Sequence, residues 1–432
     1  MQMTDIMRNF IREHLEDDVL KIVLDASRYE GVDVRFASGQ IAVRRRIRDK
    51  LPSWYANDRL IFPSALAAEQ CSSEQTASYK QRLIGSGDAV VDLTGGLGVD
   101  AYFLSRKARG VTYVERNGDC CEAARHNMKE LGADNVRVLN VDAVALIAGN
   151  ARSHTGSESV CASLPAASVY YIDPARRGAG NRRLFALQDC EPDLTEIWPA
   201  LRKRPEKIIV KLSPMLDISL LLSQLPDVRE VHVVSVRNEC KEVLVVAGDD
   251  AFPDGSMRRP ENVSGERMNG KGKPGVKVCC VNFTSSGGEQ DFQFDRDEEE
   301  TAAVSFAENV GRYLYEPNSS VLKAGAYRTV SARYGLKKLH VSSHLYTSET
   351  CAPSFAGRIF EVKGVYKFDR RLCRELSAQI PKANISVRNF PLSVDELRRR
   401  VRILDGGEAY LFATTLSDGQ KVLIDCRKVN LQ

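Results

Sequence analysis

Residues 89–100 constrain this chain more than any other stretch. Ala89, Val90 and Val91 form an apolar run of strand length that ends on a carboxylate, Asp92, and Gly95, Gly96 and Gly98 follow before a helical pattern begins at Val99. The reading is strand, tight turn, helix. Such a turn uses glycine where a side chain would collide with a bound ligand or where φ must be positive, and the helix behind it offers free N–H groups. The lysine and hydroxyl of a phosphate-binding P-loop do not follow, and the spacing is not the Gly-x-Gly-x-x-Gly of a dinucleotide fold, so the turn argues against both.

The rest of the chain sets bounds around that turn. A length of 432 residues predicts two to four domains, and 27% charged with 43% hydrophobic residues is a globular composition. No apolar run approaches the roughly 18 residues of a membrane span, and the first ten residues lack the apolar core of a signal peptide, so the expectation is a cytoplasmic protein with no membrane partner. The eleven cysteines contain no Cys-x-x-Cys, which predicts reduced, mostly buried thiols. His340 and His344 lie four apart without a cysteine or third histidine beside them, and no metal site is expected. A net charge of +4 neither demands nor excludes nucleic acid.

Taken in order, residues 1–85 carry apolar positions at helical spacing and predict a helical amino-terminal region. Its basic cluster over residues 44–50 reads either as a solvated helix face or as a contact to RNA phosphates. Ser72 with Gln75 fits a helix capping box. From 86 to 248 strands and helices alternate, which predicts a largely parallel sheet covered on both faces. The second strand ends on Glu115, placed to accept hydrogen bonds from ribose hydroxyls, and the third ends at Asp142. Residues 150–167 turn Ser-, Gly- and Ala-rich and predict no regular structure. The fourth strand runs into Asp173-Pro174-Ala175-Arg176, and the fifth into Lys211, both at the end of the sheet where the glycines lie. A terminal hairpin closes a sheet of seven strands.

Residues 249–275, rich in Gly, Pro, Asn and basic side chains, read as a linker. Beyond it, 276–365 predict a small α+β domain with a strand pair and a helix over 298–315. The last module, 366–432, alternates strand, helix and two strands, and bunches Arg398, Arg399 and Arg402 on or just after one helix. With Arg388, and with Asn389 and Phe390 offering an amide and an aromatic ring to unpaired bases, these residues predict an RNA-facing surface, although a solvated helix face is the alternative.

The pattern Asp92-x-Thr94-Gly95-Gly96-x-Gly98 resembles motif I of the class I S-adenosylmethionine (SAM) methyltransferases, with Thr94 in place of the usual first glycine. Together with residues 70–80, Asp173–Arg176, 211–217, 238–241, 388–391 and 410–413, it makes nearly the whole chain resemble a bacterial family of these enzymes that carries a ferredoxin-like middle domain and a THUMP-like carboxyl-terminal domain. The resemblance implies an α/β fold, a class I Rossmann-like domain with a seven-stranded sheet between a helical amino-terminal region and two α+β domains. It implies SAM as cofactor, held by Asp92, Thr94, Gly95, Gly96, Gly98, Glu115 and Asp142, with Gln70 and Ser73 over its methionine end. THUMP domains accompany RNA-modifying enzymes, which implies a tRNA or rRNA partner, although here the module follows the catalytic domain where relatives place it before.

The segment after the fourth strand bears on the chemistry. Enzymes that methylate exocyclic amines carry Asp/Asn-Pro-Pro-aromatic there. This chain keeps Asp173-Pro174 but has Ala175 and Arg176, so amine methylation stays open. The Asp-Pro-x-Arg form is similar to that of uridine C5-methyltransferases, whose cysteine nucleophile is missing from residues 211–214 and whose route is therefore disfavoured. The expected catalytic set is Asp173 to orient or deprotonate the acceptor, with Arg176 and Lys211 gripping phosphate or base. A non-catalytic RNA-binding or assembly factor and a small-molecule methyltransferase are the alternatives.

Overall fold

The computed structural model describes residues 3–155, 158–162, 164–176, 187–203, 207–225, 227–248 and 275–430, and the chain divides into two compact units. The first comprises Met1–Glu230 and Glu242–Lys271, the second Val231–Lys241 and Gly272–Gln432. Most of the expected linker, residues 249–274, lies outside the described residues.

In the first unit β1 (Ala89–Asp92) is flanked by β2 (Gly110–Glu115) on one side and β4 (Val169–Ile172) on the other, both parallel to it. Beyond them lie β3 (Val136–Asn140) against β2 and β5 (Lys207–Leu212) against β4, again parallel. The hairpin of β6 (Val228–Val236) and β7 (Glu239–Ala247), whose residues Val231–Lys241 belong to the second unit, turns through Arg237 and Asn238, both at positive φ, and residues 243–247 of β7 pair antiparallel with β5. Strands β4 and β5 are buried almost throughout, as expected of strands covered on both faces. The chain reverses its strand order beside β1, so the crevice beyond the ends of β1 and β4 is the natural ligand site.

The amino-terminal region folds as short helices, with Asp33, Ser64 and Ser73 capping those at Val34–Ile47, Ala65–Gln70 and Glu74–Lys80. Their core of Val43, Ile47, Trp54 and Phe62 includes Leu97 and Val99 of the glycine turn, so this region braces the turn from behind. The basic cluster departs from the phosphate-contact reading. Arg44 is only 3% exposed and donates to the carbonyls of Asn57, Asp58 and Leu60 at 2.9–3.1 Å. Burial lowers its pKa to about 10. Arg45 donates to the carbonyls of Leu15 and Asp17, Arg46 pairs with Glu69, and Lys50 reaches the Glu69 carbonyl at 2.7 Å. These charges satisfy loop carbonyls that the short helices leave open.

Two further expectations are corrected. Residues 150–167, read as irregular, contain an antiparallel pair, Ala151–Thr155 with Glu158–Ala162, because backbone pairing does not require the apolar alternation that signals a strand. In the second unit the helix expected over 298–315 stops at Thr301, and Tyr313–Pro317 is a strand. Gly311 leads into that strand with no room for a side chain, since a Cβ there would meet the Ser348 carbonyl oxygen at 2.8 Å, and the strand buries Leu314 and Tyr315 completely.

The second unit contains an antiparallel pair, β8 (Lys277–Phe283) and β9 (Glu289–Asp295), and a seven-stranded sheet. Its strands are β10 (Tyr313–Pro317), β11 (Lys337–Lys338), β12 (Tyr346–Ser348), β13 (Gly357–Lys367), β14 (Asn384–Arg388), β15 (Ala409–Thr415) and β16 (Lys421–Lys428), in the order β11-β12-β10-β13-β16-β15-β14. Only β14 and β15 pair in parallel. Strand β13 runs through residues 365 and 366, where composition suggested a domain boundary. Asn238 of the β6–β7 turn is a structural fixture of this unit, taking the Ser319 amide at 2.8 Å and donating its own to Asn282 at 2.9 Å.

If Arg44 is an internal strut, Arg44→Ala leaves several carbonyls unsatisfied and lowers unfolding stability by about 2–4 kcal/mol with RNA affinity unchanged. Urea unfolding and filter binding check this; lost affinity at unchanged stability would restore the phosphate-contact reading.

Candidate active site

The glycine turn is built against Tyr113 of β2. A Cβ on Gly95 would stand 2.2 Å from the Tyr113 ring, and one on Gly98 would stand 2.9 Å from the Met128 methyl. These two glycines serve internal packing. Gly98, at φ +87°, also needs the left-handed region; Gly96, at φ +53°, differs from both in that a Cβ would meet nothing nearer than the Thr94 carbonyl oxygen at 3.8 Å, so the space over it is open. The Tyr113 hydroxyl donates to the Gly96 carbonyl at 2.6 Å, and the Glu115 carboxylate accepts the Gly96 N–H at 2.9 Å and the Asn117 N–H at 2.8 Å. Glu115 thus holds the rim of the turn with one bond to each oxygen and keeps lone pairs for a diol. Asp92, 1% exposed, accepts the Thr94 N–H at 3.0 Å; burial, reinforced by Asp100, Asp173 and Glu115, holds its carboxyl well above the usual range.

Thr94 connects the two segments that the sequence singled out. Its hydroxyl accepts the Asp173 backbone N–H at 2.6 Å, a contact that glycine could not make. The Asp173 side chain in turn meets the Lys211 ammonium at 2.5 Å. Burial opposes the charge on Lys211, but Asp173, Asp100 and Glu242 more than offset it and raise its pKa above the ordinary lysine range. Arg176 pairs through its backbone with Cys190; its side chain lies outside what the structure describes.

Behind this pair is a buried cluster that pattern reading missed. Lys80 is fully buried, and its ammonium lies 2.9 Å from Glu242, 3.1 Å from Asp100 and 3.0 Å from the Ser72 hydroxyl. Asp100 also accepts the Ser72 and Tyr171 hydroxyls at 2.8 and 2.9 Å. Burial raises the Glu242 carboxyl; it opposes ionisation of Asp100 as well, but there Lys80, Lys211 and Ser72 outweigh it and lower the pKa. The expected Ser72–Gln75 capping box is corrected accordingly: Ser73 caps the helix, and Ser72 belongs to the ion cluster. One signal was available, a lysine at an otherwise apolar position of the Glu74–Lys80 helix.

The remaining expected residues separate into groups. Asp142 caps the Ala143–Ile147 helix through the Ala145 N–H at 2.9 Å. Gln70 is exposed at the end of its helix, and Ser73 is engaged by Thr76. In the second unit, Arg388 pairs at 2.7 Å with Glu316, 2% exposed, which Arg358 also engages. Asn389, at φ +52°, bonds the His340 ring at 2.9 Å. Phe390 is half-buried, packed against the core with its ring centroid 5.0 Å from that of Phe368. Arg398 is held by Asp405 at 2.6 Å. Arg399 and Arg402 remain exposed. Of the two histidines, His344 stacks on Tyr327 with centroids 3.7 Å apart. Among the described residues no group of metal-ligating side chains converges, and no helix is long and apolar enough to cross a membrane.

Comparison with known proteins supplies the family. A ferredoxin-like domain model matches residues 313–355, and a THUMP domain-like model matches 357–428. Proteins from two Mycobacterium tuberculosis strains, named as uncharacterised SAM-dependent methyltransferases, are 26% identical over 369 residues, covering 84% of this chain and 87% of theirs. A candidate methyltransferase from Porphyromonas gingivalis W83, solved by crystallography, is 34% identical with both chains fully covered and a TM-score of 0.80. The chain belongs to this family of SAM-dependent methyltransferases with ferredoxin-like and THUMP-like domains. A Mycoplasma mobile protein named as an uncharacterised RNA methyltransferase is 30% identical over 126 residues, 29% of this chain and 28% of its own.

The cofactor of this methyltransferase is SAM, and the turn fits it: open space over Gly96, a carboxylate with spare lone pairs at Glu115, and no cationic side chain in the turn itself. The two kinds of glycine give a contrast. Gly95→Ala drives a methyl into a buried ring and costs about 1–3 kcal/mol of stability. Gly96→Ala costs only about 1 kcal/mol of left-handed strain but weakens SAM binding. Thermal unfolding and titration calorimetry separate the two, and equal stability losses would contradict the division.

Proposed function

We propose that this methyltransferase methylates a nucleobase of tRNA or rRNA, with Asp173 and Lys211 facing the acceptor. The observation that carries the reading is the Asp173–Lys211 pair at 2.5 Å, fixed through Thr94 to the cofactor turn at the topological switch of the sheet. When bound, SAM supplies an electrophilic methyl group on a leaving group that departs neutral. The chain's task is then alignment. The Asp173 carboxylate accepts a hydrogen bond from the acceptor N–H, aims its lone pair and takes up the proton. Lys211, 2.5 Å away, holds that carboxylate in place.

A ring or exocyclic nitrogen suits this arrangement better than C5 of uridine. That route needs a thiolate, and none stands in residues 211–214. Cys71, the thiol electrostatically coupled to Lys211, has its pKa raised by burial and donates to the Ala68 carbonyl at 3.2 Å. For RNA, the support is the THUMP-like match and the relative from Mycoplasma mobile. On the THUMP-like module the exposed Arg399 and Arg402, together with Arg388 and Asn389, are the residues offered to phosphates and unpaired bases, with Phe390 and Arg398 supporting them. Asp142, Gln70 and Ser73 keep their proposed places around the cofactor, and Arg176 its place at the acceptor.

The test uses labelled SAM and RNA extracted from cells lacking the gene. The expected result is label in one RNA class, with Asp173→Asn reducing kcat by about 100-fold or more while SAM affinity changes by less than about threefold. Absence of label in any RNA, or a fully active Asp173→Asn variant, would overturn the reading. Thr94→Val removes the acceptor of the Asp173 amide at nearly constant shape, and an expected loss of about 1 kcal/mol of stability accompanies a lower kcat, read by urea unfolding and initial rates.

A further inference from the structure

We propose that Glu242 and Lys80 are positioning residues for the methyl-transfer site, acting through Lys211: the buried Lys80–Asp100–Glu242 cluster anchors the Lys211 ammonium from behind, so that it stays fixed against Asp173. This rests on the assignment of Asp173 and Lys211 to the acceptor side of the site.

The geometry comes from the sheet. Lys211 of β5 stands opposite Leu244 of β7, and Glu242 lies two residues from Leu244, so Lys211 and Glu242 share a face. Tyr171, whose hydroxyl bonds Asp100, is likewise two residues before Asp173. Lys80 comes down from the Glu74–Lys80 helix and Asp100 from the Val99–Ser105 helix. Positive and negative groups then alternate in a row: Lys80, the pair Asp100 and Glu242, Lys211, and Asp173. Lys80 has three partners within 3.1 Å and nothing left to offer a ligand. Glu242, 2% exposed, gives one oxygen to Lys80, while its other oxygen has no hydrogen-bond partner. A purely structural ion pair would have that second oxygen satisfied or replaced by carbon, because an unsatisfied buried carboxylate oxygen is costly. It is retained, on this account, because its charge acts on Lys211.

The charged groups that act on Lys211 come from three elements, Asp173 after β4, Asp100 from the helix behind the glycine turn and Glu242 from β7, and the Cys71 thiol at the end of the Ala65–Gln70 helix feels the Lys211 charge in turn. Removing the Glu242 charge frees Lys211 to deprotonate and to leave Asp173. Glu242→Gln keeps the shape and loses the charge; Glu242→Asp keeps the charge and loses a methylene. A charge role and a packing role therefore rank the two variants in opposite order.

The experiment measures carbamylation of Lys211 by cyanate at pH 9 in the cofactor-free full-length protein, followed by peptide mass spectrometry, alongside kcat for methyl transfer. Cyanate reacts with the neutral amine, so its rate reports how firmly the ammonium is held. The expected result is that Glu242→Gln speeds labelling of Lys211 by about tenfold, as loss of one nearby charge implies, and lowers kcat, while Glu242→Asp stays within about twofold of the parent in both. Asp100→Asn, expected to act like Glu242→Gln, serves if that variant does not fold. Labelling unchanged in Glu242→Gln and altered in Glu242→Asp would overturn the proposal. Because the labelling needs no substrate, it stands even if no RNA accepts methyl, whereas that second failure would strike the RNA reading alone.

Discussion

The hydrogen bond from the Asp173 amide to the Thr94 hydroxyl, 2.6 Å long, joins the two halves of the site. One half is the cofactor turn after β1; the other is the acceptor segment after β4. Parallel neighbours in a sheet end at the same level, but their following loops diverge unless something ties them. Here the tie is a side chain at a motif position that usually has none, and a glycine at residue 94 would leave the Asp173 amide without this partner.

From that bond the requirements spread outward. Asp173 is held by Lys211, and the charge of Lys211, which burial opposes, is favoured by Asp173, Asp100 and Glu242. Those two acids need a cation, and Lys80 reaches in from the amino-terminal helices to supply it. The amino-terminal helical region therefore takes part in the electrostatics of the site. Its own fold depends on the same economy of buried charge, with Arg44 satisfying the carbonyls of a loop that no helix covers.

Much of this was legible in the sequence. The parallel core, the glycine turn, and the acids at the ends of β1 and β2 follow from short continuous apolar runs and glycine placement, which are local signals. The same local reading anticipated the positive φ of Gly96 and Gly98 but not that Gly95 and Gly98 make room for Tyr113 and Met128 of other elements. Lys80, Asp100 and Glu242 come from distant parts of the chain and acquire meaning only when the sheet brings them together. On the second unit, charge counting overestimated what is free. Arg398 was indistinguishable in sequence from Arg399 and Arg402, yet Asp405 holds it at 2.6 Å.

The central claim is that the Gly96 rim, Glu115 and the Thr94–Asp173 tie together form one preorganised cofactor and acceptor site. A crystal structure with the demethylated product, S-adenosylhomocysteine, tests it most directly. The account predicts the ribose hydroxyls on Glu115, the nucleoside lying over Gly96, the sulfur directed toward Asp173, and the Thr94–Asp173 bond intact. A nucleoside bound away from Gly96, or a turn that must break the Gly96–Glu115 and Thr94–Asp173 bonds to admit it, would contradict the account.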